Sequence, residues 1–149
     1  MAVNGTHDVG EEFKQKSIFR QDTLTRPGTL EVLLYNDSTD NLSESSDVGD
    51  VTTEPTAGNY TRQTVNFDTG DLTLSVDGSG DLQADGSVTF DTLDTGNTVD
   101  GYALVASFQS DVVNAEAGAN DHIIASATFG TTDLSNFSDV TVNFQDTLS

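Results

Sequence analysis

"DLTLSVDGSGDL", residues 71–82, decides the fold class. Its first half alternates apolar and polar side chains, which places Leu72, Leu74 and Val76 on one face of a strand. Its centre, Asp77-Gly78-Ser79-Gly80, is turn chemistry. Glycine takes positive φ without steric cost, and an Asp side chain bonds the backbone of its own turn. A strand, a tight turn and a return toward "GSVTFDTL" (86–93) predict a β-hairpin, with Val88 and Phe90 pointing inward.

The same signature recurs on both sides. "TLEVLLY" (29–35) is rich in β-formers and is followed by the polar, turn-like "NDSTDNLSESSDVGD" (36–50). "NYTRQTVNF" (59–67) alternates, and "GYALVASFQ" (101–109) and "HIIASATF" (122–129) are nearly continuous apolar runs, as central strands are. "DVTVNFQ" (139–145) closes the series with Val140, Val142 and Phe144. Short strands separated by Gly- and Asp-rich turns predict an all-β chain, an antiparallel β-sandwich or jelly-roll body. At 149 residues there is room for one core and not two.

Charge divides the chain differently. The net charge is −20, from 19 Asp and 6 Glu against 2 Lys and 3 Arg. Four of those five cations, Lys14, Lys16, Arg20 and Arg26, lie within "KQKSIFRQDTLTR" (14–26), interleaved with Ile18, Phe19 and Leu24. Residues 1–28 are neutral, whereas 27–149 hold 21 acids with Arg62 as their only cation. The predicted organisation is therefore an N-terminal arm, 1–28, extended or short-helical, and a β-sandwich domain, 29–149. An arm that pairs local positive charge with apolar side chains suits docking onto an acidic surface. Four cations beside four acids make a poor phosphate-binding segment, so nucleic acid is not the expected target.

So much unbalanced Asp works against a compact state in dilute buffer, whereas molar salt shortens the Debye length to about 3 Å and screens it. The composition reads as halophilic. The same charge repels nucleic acid and anionic lipid from the body. Without cysteine there are no disulfides, thiol chemistry or Cys-based zinc sites. "MAVNGTHDVGEEF" is too polar for a signal-peptide core, and no run approaches the ~18 apolar residues of a membrane helix, so a cytoplasmic product is expected, unless it leaves inside something larger.

Residues able to carry chemistry are few. "DGSGD" (77–81) has acids and glycines but lacks the spacing and closing Glu of a calcium loop, so a hairpin turn is the better reading. His7 and His122 are the only imidazoles; His122 follows Asp121, and His7 falls in the arm, where mobility is expected. A Ser-His-Asp site at His122 is conceivable, but one His beside one Asp is commonplace in so acidic a chain, and a structural or solvent-exposed histidine is the expected reading. Carboxylate pairs are available everywhere, but sugar chemistry is poorly served with no Trp and three Tyr. No catalytic residue, metal ligand or cofactor is expected, and the chain reads as not an enzyme. Arg62, alone among acids, is expected in a structural ion pair, with Glu54 upstream as its partner.

"EPTAGNYTRQTVNF" (54–67), following "VLLYND" (32–37), resembles a pattern in small all-β virion proteins of tailed viruses. It is carried by Glu54, Gly58, Tyr60, Arg62, Gln63 and Phe67, although Asn59 stands where a second Gly is usual. "TGNTVDGYALV" (95–105), after Val88, Thr89 and Phe90, looks like a later strand entry of such proteins. The resemblance implies a capsid decoration or turret component, or else a tail or baseplate component, and the acidity adds a haloarchaeal host. Its expected partners are other virion proteins, a major capsid or tail protein, and further copies of itself in a homo-oligomer, with a host surface ligand as an additional possibility. The competing class is a cell-surface sugar- or calcium-binding β-sandwich module.

Overall fold

The computed structural model describes residues 5–8, 10–12, 15, 29–66, 71–107 and 121–148. Eight strands occur among them: β1 Gly5–Thr6, β2 Leu30–Tyr35, β3 Gln63–Thr64, β4 Leu72–Val76, β5 Leu82–Phe90, β6 Thr98–Ser107, β7 Asp121–Asp133 and β8 Val140–Leu148. They form a five-stranded sheet, β1-β7-β6-β2-β3, and a three-stranded sheet, β4-β5-β8. Every pairing is antiparallel. The all-β sandwich expected from the alternation is what the chain builds.

The core lies between the sheets. Leu30, Val32 and Leu34 of β2, Leu104 and Ala106 of β6 and Ala125 of β7 meet Val88 and Phe90 of β5 and Val142 and Phe144 of β8. Alternation sends Leu33 and Tyr35 of β2 to the opposite face, where they join Ala103, Val105 and Ile123. A bulge at Ile124 lets both faces of β7 stay apolar: Leu104 pairs with Ala125 but Val105 pairs with Ile123, leaving one residue over. Ile124 and Ala125 thereby point at the core while Ile123 points away from it.

Two glycines are fixed by aromatic neighbours across the ladder. A Cβ on Gly101 would lie 2.7 Å from the Tyr35 ring, and one on Gly86 would lie 2.0 Å from that of Phe144. Each glycine pairs directly with its aromatic, Tyr35 with Gly101 and Phe144 with Gly86. The rings fill the space a side chain would need, which suits cross-strand packing on a twisted sheet.

Two expectations change. The strand expected over 59–67 is confined to Gln63–Thr64, for reasons given below. His7 is not in a mobile segment: β1 pairs with Ser126 and Ala125 of β7, and His7 is fully buried. Leu72, Leu74 and Val76 do share a face, but only Leu72 packs on the core, while Leu74 and Val76 are each 66% exposed. The three-stranded sheet overhangs its partner there, so alternation was right about the face and silent about what covers it. Residues 8, 10–12 and 15 are helical, with Glu11 N donating to His7 O at 3.0 Å.

Candidate functional site

Arg62 and Glu54 are brought together as a bidentate pair: Nε donates to Oε1 at 2.8 Å and Nη2 to Oε2 at 2.7 Å. The fork matches the carboxylate plane, and both side chains are largely buried, at 24% and 19% exposure. Hydrogen bonding to Glu54 raises the guanidinium pKa further above its ordinary value. Tyr60 joins them, donating to Glu54 Oε1 at 3.1 Å and accepting from the Leu34 amide at 2.9 Å. Burial is the main cause that raises its phenol pKa. Its ring stacks on Phe90, centroids 5.6 Å apart and planes 5° from parallel. This node explains why β3 is short. Pairing of β2 with β3 stops at Val32–Gln63, and beyond it the Tyr60 hydroxyl satisfies the Leu34 amide that a strand would otherwise have met.

The stretch 36–50, expected as a turn region, continues to residue 53 as a covering layer. Asn36 caps a short helix, α1 (Asp37–Asp40), by accepting from Thr39 N. Asp40 accepts from both hydroxyls and both amides of Thr52 and Thr53. Burial alone would raise the Asp40 pKa, but these bonds bring it below the ordinary carboxylate value. Asp47 and Asp50 form a reciprocal capping box at the 3-10 turn Val48–Asp50. The layer lays Leu42, Val48 and Val51 over Leu33, Tyr35, Val105 and Ile123.

Polar groups beneath that layer are buried and bonded. Asp100 accepts from the Asp37 amide and the Ser38 hydroxyl, each at 2.5 Å, and Tyr35 Oη donates to Asp37 at 3.2 Å. Asp47 holds the β7 entry, accepting from Ile123 N at 3.0 Å and meeting His122 Nδ1 at 2.5 Å. His7 Nδ1 lies 3.0 Å from the Ser46 carbonyl and Nε2 2.7 Å from Ser126 Oγ. A carbonyl only accepts, so Nδ1 carries the proton and Nε2 of the neutral ring accepts from the serine. Burial lowers the His7 pKa, which fits that neutral form. A hydroxyl on an imidazole at this distance is nucleophile–base geometry. Here Ser126 and His7 are 2% and 0% exposed, and the pair fastens the β1 end to β7. No residue of this network except the two histidines stood out in the sequence; the signal was three apolar residues, Leu42, Val48 and Val51, within an otherwise polar stretch.

"DGSGD" is a hairpin turn. Asp77 Oδ1 accepts from Ser79 N at 2.8 Å and Asp81 N at 2.9 Å, and Gly80 takes φ +93. No group of three or more His, Asp or Glu among the described residues is placed to hold a metal ion. A groove of about 390 Å³ on the three-stranded sheet is lined by Asp71, Thr73, Asp85, Asn143 and Gln145, but Asp85 already accepts from Gln83 and Gln145. A more apolar opening of about 240 Å³ lies at the sandwich mouth between Tyr102, Phe129, Val140 and Val142.

What stands out is surface. Among the described residues, the exposed large apolar side chains are Leu74, Val76 and Phe137. The first two are adjacent on one face of β4, the end strand of its sheet. Across the ladder, Leu74, Ala84 and Asp146 stand side by side. Lys14, Lys16, Ile18, Phe19, Arg20, Leu24 and Arg26, expected to form an interface, lie outside the described residues. No helix among the described residues is long and apolar enough to cross a membrane. No protein family, curated protein or solved structure matches this chain.

Proposed function

We propose that the chain is a structural subunit of a larger particle, a virion protein of a tailed virus infecting a haloarchaeon, on the capsid exterior as a decoration or turret component. One observation carries the reading: an acid-coated β-sandwich leaves an uncovered apolar strip, Leu74 and Val76, on a sheet edge. Edge strands are ordinarily guarded by Lys, Pro or a bulge, and residues 72–76 contain none of these. An exposed apolar edge in a protein of net charge −20 suits a subunit that is covered on assembly. The unbalanced acids suit concentrated salt, where self-repulsion is screened. The buried and fully bonded polar network suits a part whose work is to hold shape.

Mass spectrometry of purified particles against the host envelope tests this directly, with the chain expected in the particles. Its absence from particles, or its recovery from the envelope, overturns the reading. Labelling at the tail or baseplate in electron micrographs would move the subunit from the capsid to the tail.

A further inference from the structure

We propose that the apolar strip of β4 is the docking site for residues 14–26 of a second copy of this chain. The inference rests on the assembly reading above and names its partner. Among the described residues nothing seals Leu74 and Val76, which are each 66% exposed.

Charge selects the segment that covers them. Residues 27–149 carry the whole −20, and their only cation, Arg62, is already engaged by Glu54. A second body presented to this surface is repelled. Residues 14–26 hold four cations against one acid, Asp22, and interleave them with Ile18, Phe19 and Leu24. Asp77 and Asp81 lie at the turn beyond the strip. Apolar groups ringed by acids are matched by apolar groups ringed by bases.

Position makes the exchange reciprocal. The segment rejoins the body at Thr29, whose carbonyl accepts from Ser107 N at one end of the sandwich. Leu30 O accepts there from Val65 N, Asn66 donates to Asp71 Oδ2, and Asp71 leads into β4. Thr29, where the described body begins, and the start of the receiving strand therefore lie at the same end. Two copies meeting at those ends exchange segments symmetrically and close a twofold pair, with no surface left to propagate.

The natural chain lacks cysteine, so introduced ones report unambiguously. Leu74→Cys and Phe19→Cys chains, prepared separately, are mixed at about 2 M KCl, where the Debye length is only a few Å, and oxidised. Leu24→Cys serves as a second arm probe. The expected product joins one chain of each kind. In sedimentation velocity the wild-type chain is expected as a dimer, and both Leu74→Ser/Val76→Ser and Lys14→Gln/Lys16→Gln/Arg20→Gln/Arg26→Gln as monomers. A wild-type monomer at every concentration overturns the proposal. So does cross-linking of Leu74→Cys chains mainly to one another, closure only within a doubly substituted chain, or a dimer untouched by the arm substitutions. The purified chain can fail this test while particle incorporation succeeds, and the reverse.

Discussion

The outer face of the five-stranded sheet and the overhang of the three-stranded sheet begin from the same sequence device and end differently. On the first, Leu33 and Tyr35 alternate out of β2 and are sealed by the 36–53 layer to full burial. On the second, Leu74 and Val76 alternate out of β4 and remain 66% exposed. A period of two says which residues share a face, but the cover is supplied by other parts of a chain or by another chain. Covered apolar faces contribute to stability within one molecule, and uncovered ones are available for association.

The contrast breaks most sharply at Tyr35. Tyr35→Ala removes a fully buried ring from over Gly101 and strips its bond to Asp37, and is expected to cost about 3–5 kcal/mol in chemical denaturation at high salt. A loss below about 1 kcal/mol would mean that the 36–53 layer is not sealed as described.

Arg62→Ala comes next. Its pair is neither fully buried nor exposed, so a loss of about 2 kcal/mol is expected, between roughly 1 for surface pairs and 3–5 for buried ones. A melting temperature within error of wild type would reduce Arg62 to surface decoration. Loss without any change at the Tyr60–Phe90 stack would separate the ion pair from the node around it.

A smaller effect appears with pH. His7 has a folded pKa below its ordinary 6.5, so the unfolded chain binds the extra proton more readily. Stability is full above pH 6.5 and falls as pH drops below it. Asp40, held below 3.8 in the fold, loses its contribution only as pH falls below that value. Below pH 6.5 His7 therefore adds a slope of its own, and the difference between wild type and a His7 variant reads its share. His7→Gln is expected to flatten the slope of unfolding free energy there, and an undiminished slope would assign it to another group.

The smallest effect on stability belongs to the strip. Leu74→Ser is expected to stay within about 0.5 kcal/mol of wild type, because little leaves the core. Measured where the wild-type chain is monomeric, a loss comparable with that of Tyr35→Ala would show that the strip is covered within the single chain.

The strands read from alternation at 71–77, 86–93 and 139–145, from β-formers at 29–35 and from apolar runs at 101–109 and 122–129 correspond to β2 and β4 to β8, since these patterns are local and need no partner to be visible. The Arg62–Glu54 pair was legible because a lone cation among acids has few alternatives. The 36–53 layer was not, because caps and turns read as loop whether or not three apolar residues among them cover a sheet. β1 was invisible for a related reason: two residues carry no period, and His7 earns its burial from Ser46 and Ser126, remote in sequence. The 59–67 run failed as a strand because its alternation was real but Tyr60 spends its hydroxyl on the neighbouring strand's amide. Deletion of residues 1–26 would for the same reason remove a strand and a buried imidazole together with the arm, so substitutions within 14–26 are the cleaner probe.

Amide hydrogen exchange followed as a function of protein concentration tests the central claim most directly. Exchange across Leu72–Val76 is expected to slow as concentration rises in high salt, while Leu30–Tyr35, sealed within each chain, stays unchanged. Exchange at Leu72–Val76 that is independent of concentration would contradict the account, because the strip would then have no partner in a second copy.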